Sequence, residues 1–215
     1  MKLRLKAKIV TALLFAVAII AGLYLEKISR IEINRFYPPD NRIVSDQFQK
    51  PLRWFPDING ERHIWISLDK IAGTTKKAFI AAEDQRFFNH IGIDPVAMVR
   101  ALKENMVQGK IVSGASTLTQ QMIRISYPRN RTYSKKFIEV LRSFRAEGHL
   151  SKEEILEVYL NRVPMGNNLT GIEAASRVYF TKPSSSLSLH ENALLAALPK
   201  APGTLNPYGK NKEKL

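Results

Sequence analysis

Cysteine is absent from the 215 residues. That excludes disulfides and thiolate metal sites. It fixes no compartment, but it suits a domain in an oxidising space that does not rely on crosslinks. Acidic side chains are scarce as well: 19 Asp and Glu stand against 33 Lys and Arg, a formal charge of +14. Such an excess favours an anionic partner, and nucleic acid, an acidic membrane surface or a phosphorylated substrate would each qualify. The chain also lacks internal repeats and low-complexity stretches, which argues against a solenoid or a disordered array.

What is present suffices for one domain with a real core and a short anchor. Ile9 to Leu25 form an uncharged, largely apolar run, preceded by Lys2, Arg4, Lys6 and Lys8. A helix over residues 9–25 would span roughly 25 Å, near the lower limit for a bilayer core. The basic flank should stay cytoplasmic, so the chain after Glu26 should lie outside. Ala16-Val17-Ala18 imitates a signal-peptide cut site, but it lies inside the apolar run, which favours an uncleaved anchor.

Residues 26–41 read as a linker with turn chemistry at Pro38-Pro39-Asp40-Asn41. Pro51-Leu52-Arg53-Trp54-Phe55 and Arg62-His63-Ile64-Trp65-Ile66 flank Asp57-Ile58-Asn59-Gly60. That pattern predicts a small β-hairpin within residues 26–66. From Thr74 onward the pattern is helical. Phe79, Ile80, Glu83, Phe87 and His90 recur at spacings of three and four. Asp94-Pro95 reads as a helix start, and Ser151 with Glu154 and Ser188 with Glu191 read as capping boxes. Pro199 should stop the last helix.

Four clusters could carry chemistry. The first runs from Glu83-Asp84 through Phe87 and His90 to Gly92 and Asp94. On this helix Glu83 shares a face with Phe79 and Phe87, and a carboxylate among apolar groups suits proton transfer. A solvated Glu-Asp pair at a helix end fits the same spacing. The second, Gly114-Ala115-Ser116-Thr117-Leu118-Thr119-Gln120-Gln121, offers caps and hydrogen-bond donors. The third, Lys135-Lys136-Phe137-Ile138-Glu139, puts both lysines within helical reach of Glu139. It reads either as a surface ion pair or as a cationic clamp for pyrophosphate, which Arg124, Arg129 and Arg131 could join. The fourth, Lys152 to Asn161, taken alone is an amphipathic helix with core residues.

The order and spacing of these clusters resemble the peptidoglycan glycosyltransferase family, the polymerase domain of class A penicillin-binding proteins. Its motifs read E-D-x-x-F-x-x-H-x-G-x-D, G-x-S-T-x-T-Q-Q, R-K-x-x-E and K-x-x-I-L-E-x-Y-L-N. The first, second and fourth match throughout; in the third, Lys135 replaces Arg, keeping charge but losing bidentate geometry. The likeness covers about residues 66–208. Pro51 to Phe55 look most like the 1C type.

The resemblance implies a mainly α, lysozyme-like domain with a small lobe touching the membrane. It divides the chain into a basic segment (1–8), an anchor (9–25), a linker and hairpin region (26–66) and the transferase domain (67–215). The domain is expected to be truncated at its C-terminus. The implied substrates are lipid II and the growing glycan strand, and the reaction is inverting transfer with release of undecaprenyl pyrophosphate. Glu83 carries over as the base and Glu139 as the second carboxylate. Asp84, Phe87, His90, Ser116, Thr117, Gln120, Gln121, Arg124, Lys135 and Lys136 carry over as substrate-binding residues. No metal ligand set and no required cofactor are implied, although a divalent cation, magnesium or manganese, assists some members. The implied setting is the outer side of a bacterial cytoplasmic membrane, with other cell-wall synthesis proteins as partners and no nucleic acid. Two other classes stay open: a lysozyme-like glycan hydrolase, and an inactive fragment or glycan- or lipid-binding module. Ser67-Leu68-Asp69-Lys70 matches the penicillin-reactive S-x-x-K pattern by chance, since no partner motif accompanies it.

Overall fold

The computed structural model describes residues 2–200, except 40, 49, 50 and 129–131. The side chains of 2–10, 12, 13, 51 and 133 also lie outside the description. The expected turn at Asp40, the basic side chains before the apolar run, Arg129, Arg131 and the tail from 201 therefore fall outside it.

Helices dominate. α1 (Lys2–Ser29) is one helix of 28 residues, about 42 Å at 1.5 Å per residue. Leu14, Phe15, Val17, Ile20 and Leu23 on it are all exposed. Among the described residues no helix is long and apolar enough to cross a membrane. The expected anchor at 9–25 falls partly on side chains outside the description.

β1 (Arg42–Ser45) and β2 (Pro51–Phe55) pair antiparallel, with Ile43 opposite Trp54. β3 (Arg62–His63) does not pair with β2. It lies parallel to β5 (Leu169–Thr170), which also pairs with β4 (Pro164–Gly166). The hairpin is thus one strand earlier than the sequence pattern predicts. The turn at Asp57 exists: its side chain accepts from the N–H groups of Asn59 and Glu61, and Gly60 has φ +79°. The chain leaving it is captured instead by Asn168, whose carbonyl accepts from Arg62 N–H at 2.8 Å.

α2 (Gly73–Glu83), α3 (Pro95–Gln108), α4 (Leu118–Ser126), α5 (Tyr133–His149), α6 (Lys152–Arg162), α7 (Ile172–Phe180) and α8 (Leu189–Ala197) build the rest. Their ends follow local chemistry. Asp94 caps α3 by accepting from Val96 and Ala97 N–H, with Pro95 at the first turn. Both capping boxes, Ser151 with Glu154 and Ser188 with Glu191, are formed. α8 stops two residues before Pro199.

The core is centred on α4 and α6. Leu118, Met122, Ile155, Tyr159 and Leu160 are fully buried, with Phe79 of α2 set edge-on to Tyr159. Because α6 is covered nearly all round, its polar residues must bond internally. Glu157 accepts from Trp65 Nε1 and Leu68 N–H, and Asn161 exchanges bonds with both backbone groups of Ile66. These bonds hold the segment leading into α2. Gly171 (φ +83°) fits close under α6, where a Cβ would stand 2.5 Å from the Asn161 carbonyl oxygen.

α1 is fastened to the domain. Arg142 of α5 donates to the Ile28 carbonyl at 3.1 Å, and Arg145 pairs with Glu26. Just beyond the helix, Tyr127 lies between the guanidinium groups of Arg35 and Arg142, 5.1 and 4.0 Å from its ring centre. Its hydroxyl accepts from Glu32 N–H.

Candidate active site

Glu83 is the last residue of α2, not a mid-helix residue. The helical periodicity predicted through Phe87 and His90 breaks at Asp84, whose backbone is extended (φ −159°). The reason is a competing set of hydrogen bonds. The buried Asp84 carboxylate faces His90 Nε2 at 2.9 and 3.1 Å and accepts from Leu118 N–H at 3.0 Å. Gly92 N–H donates to His90 Nδ1, so His90 is the tautomer that donates from Nε2 to Asp84. Thr117 caps α4 by accepting from Gln120 N–H and donates its own hydroxyl to the Gly92 carbonyl at 2.7 Å. The first and second clusters are thereby pinned to each other.

The result is a cleft of about 600 Å³. Glu83, Ser116, Thr117, Gln121 and Arg124 line it, together with Arg86, Arg100 and Lys200. Glu83 Oε2 accepts from Gln121 Nε2 at 2.8 Å. Glu83 Oε1 is buried and has no hydrogen-bond partner among the described residues. A buried acceptor without a donor costs about 1–3 kcal/mol, more when charged, and such groups concentrate at functional sites.

Beside the cleft, Lys136 Nζ donates to Glu139 Oε1 at 2.5 Å, Ser116 Oγ at 3.1 Å and Gln120 Oε1 at 3.2 Å. Arg124 stands 3.9 Å from the same Glu139 oxygen. Glu139 thus gathers two cations at the edge of the site. Lys135, expected to reach Glu139 as well, makes no such pair among the described residues. Phe87 and His90 sit behind the wall. Phe87 is fully buried, stacked edge-on to His90 and covered by Lys152 at 4.6 Å.

The acidic groups do not converge on a metal. Asp84 is engaged by His90 and Leu118, and Asp94 caps α3 and faces Arg86 at 3.5 Å. Among the described residues no three His, Asp or Glu side chains form a metal-binding group.

A model of the transglycosylase family matches residues 49–215. The chain belongs to this family. The transglycosylase match is supported by penicillin-binding protein 1A of Aquifex aeolicus, 43% identical over 77% of this chain and 23% of that protein. Penicillin-binding protein 1A of Escherichia coli is 45% identical over 68% of the chain and 17% of its own length. Penicillin-binding protein 1C of the same organism is 39% identical over 77% and 22%. The chain therefore spans less than a quarter of the length of these relatives.

Sequence reasoning passed over some residues in this cleft and behind it. Arg86 lies inside the first motif, but only as a variable position. Arg100 and Lys200 carry no local signal beyond charge. Tyr159 reads as a core residue of α6, yet its hydroxyl donates to Gln121 Oε1 at 3.4 Å. Burial and the nearby Glu83 charge push its pKa well above the usual tyrosine value, with Arg124 pulling the other way.

Proposed function

We propose that this chain is a peptidoglycan glycosyltransferase, polymerising lipid II into glycan strands with inversion at the reacting carbon. The observation that carries the reading is Glu83, one oxygen held by Gln121 and the other buried without a donor among the described residues, in the wall of a cleft rich in cations. A sugar hydroxyl is a weak nucleophile and needs a base aligned on it. The 4-hydroxyl of the incoming lipid II gives its proton to Glu83 as its oxygen bonds the anomeric carbon of the growing chain. The bond from that carbon to the pyrophosphate breaks, and undecaprenyl pyrophosphate leaves with the electron pair. Arg124 and Lys136 offset the charge that develops there, and Glu139 orients both. Ser116 and Gln120 hold Lys136 in place, and Thr117 and Asp84 fix the loop that frames the cleft.

A lipid-borne substrate requires a site held at a bilayer. Two features support membrane anchoring on the outer side of the cytoplasmic membrane. The described side chains of the apolar run in α1 are exposed, and α3 presents Val99, Leu102, Met106 and Val107 to its surroundings.

The test is lipid II polymerisation by the Glu83→Gln variant, whose side chain has nearly the same volume. Polymerisation should fall by about 10²- to 10⁴-fold, the range for losing a general base, with the fold intact. Undiminished strand growth by this variant would remove the base assignment. Shortening of preformed glycan in place of growth would favour a hydrolase.

A further inference from the structure

Tyr159 is sealed in the core, yet it ends in a polar group that must find a partner. Among the described residues its hydroxyl has one, Gln121 Oε1 at 3.4 Å. The other end of that amide donates to Glu83 Oε2 at 2.8 Å. The two ends of an amide differ in polarity, so the pair of neighbours selects one orientation. With the carbonyl toward Tyr159 and the NH2 toward Glu83, both contacts are attractive. With the amide turned over, its oxygen faces a carboxylate and its NH2 faces a hydroxyl that can no longer donate to it.

We propose that Tyr159 is a positioning residue for glycosyl transfer: by holding the amide of Gln121 in one orientation it secures the hydrogen bond to Glu83 Oε2, and with it the setting of the carboxylate in the cleft wall. The proposal rests on the reading of Glu83 as the base. The position of Tyr159 suits the task. Its ring packs edge-on against Phe79, on the helix that carries Glu83, so α6 and α2 meet directly behind the carboxylate. Burial and the Glu83 charge also keep the hydroxyl protonated, and hence a donor, well into the alkaline range.

The test uses the full chain in detergent with lipid II. It compares the wild type, Tyr159→Phe, Gln121→Ala and the double variant, with Glu83→Gln alongside. Phenylalanine fills the same space, and a thermal midpoint for each variant checks the fold. Tyr159→Phe should lower kcat by about 3- to 10-fold, the effect of one neutral hydrogen bond, with KM changed less than about twofold. In the Gln121→Ala background the same substitution should have no further effect, because the group through which it acts is gone. An equal loss in both backgrounds, no loss in either, or a rise in KM in place of the kcat loss overturns the proposal. An inactive Glu83→Gln variant with any of those results sinks this inference alone. A fully active Glu83→Gln variant sinks the base reading itself.

Discussion

Replacing Asp84 with alanine should destabilise the protein more than its single lost charge suggests. The carboxylate serves two buried donors: His90 Nε2 and Leu118 N–H, the latter at 3.0 Å. Neither can turn to water. The Leu118 side chain is fully buried at the start of α4, and His90 cannot reverse its tautomer because Nδ1 already accepts from Gly92 N–H. Each orphaned donor costs about 1–3 kcal/mol, so the pair costs roughly 2–6 kcal/mol, against a total stability of about 5–15 kcal/mol. For a domain of this size that lowers the thermal midpoint by roughly 5–20 °C. Asp84→Asn refines the test. Both donors reach the same oxygen, Oδ2, so the amide oxygen of asparagine can accept from both and only the second His90 contact, at 3.1 Å, is lost; less than half the loss should appear. Urea and thermal unfolding followed by circular dichroism would measure both. If Asp84→Ala loses less than about 1 kcal/mol, or if Asn is as harmful as Ala, this carboxylate does not pin the two motifs as argued.

Two further outcomes follow from the fold. Gly171→Ala forces a Cβ to 2.5 Å from the Asn161 carbonyl oxygen, in a backbone region (φ +83°) that is nearly glycine-only. It should cost about 2–6 kcal/mol in urea unfolding, strain and overpacking together, and a loss under about 1 kcal/mol would contradict the packing. Glu191 is held down to about 2 from an ordinary 4.5, chiefly by Lys182 and by the Ser188 backbone N–H. Its depressed value means that its stabilising contribution is complete above 4.5 and is lost as pH falls toward 2. Glu191→Gln should flatten that part of the stability profile, and an unchanged acid limb would count against it.

The features legible in the sequence are those written over a few residues. Ser151 with Glu154, Ser188 with Glu191 and Asp94-Pro95 announce helix starts because donor and acceptor lie within one turn. The features hidden from it depend on distant partners. α2 ends at Glu83 because Leu118 N–H, 34 positions away, competes for Asp84. β3 leaves β2 for a strand more than 100 residues later, a pairing that no local alternation encodes. At the cleft, motif order brought out Glu83, Gln121, Lys136 and Glu139. Periodicity alone could not separate the hydroxyl of Tyr159 from the apolar body that carries it.

The joint between α1 and the domain is keyed, not tethered. Arg142 bonds the Ile28 carbonyl in the last turn of the helix, and Tyr127 meets the guanidinium groups of Arg35 and Arg142 just after it, so the chain is fastened on both sides of Ser29. A shift of that helix is passed first to α5, and α5 also carries Lys136 and Glu139, so the cations at the edge of the cleft are the groups that feel it.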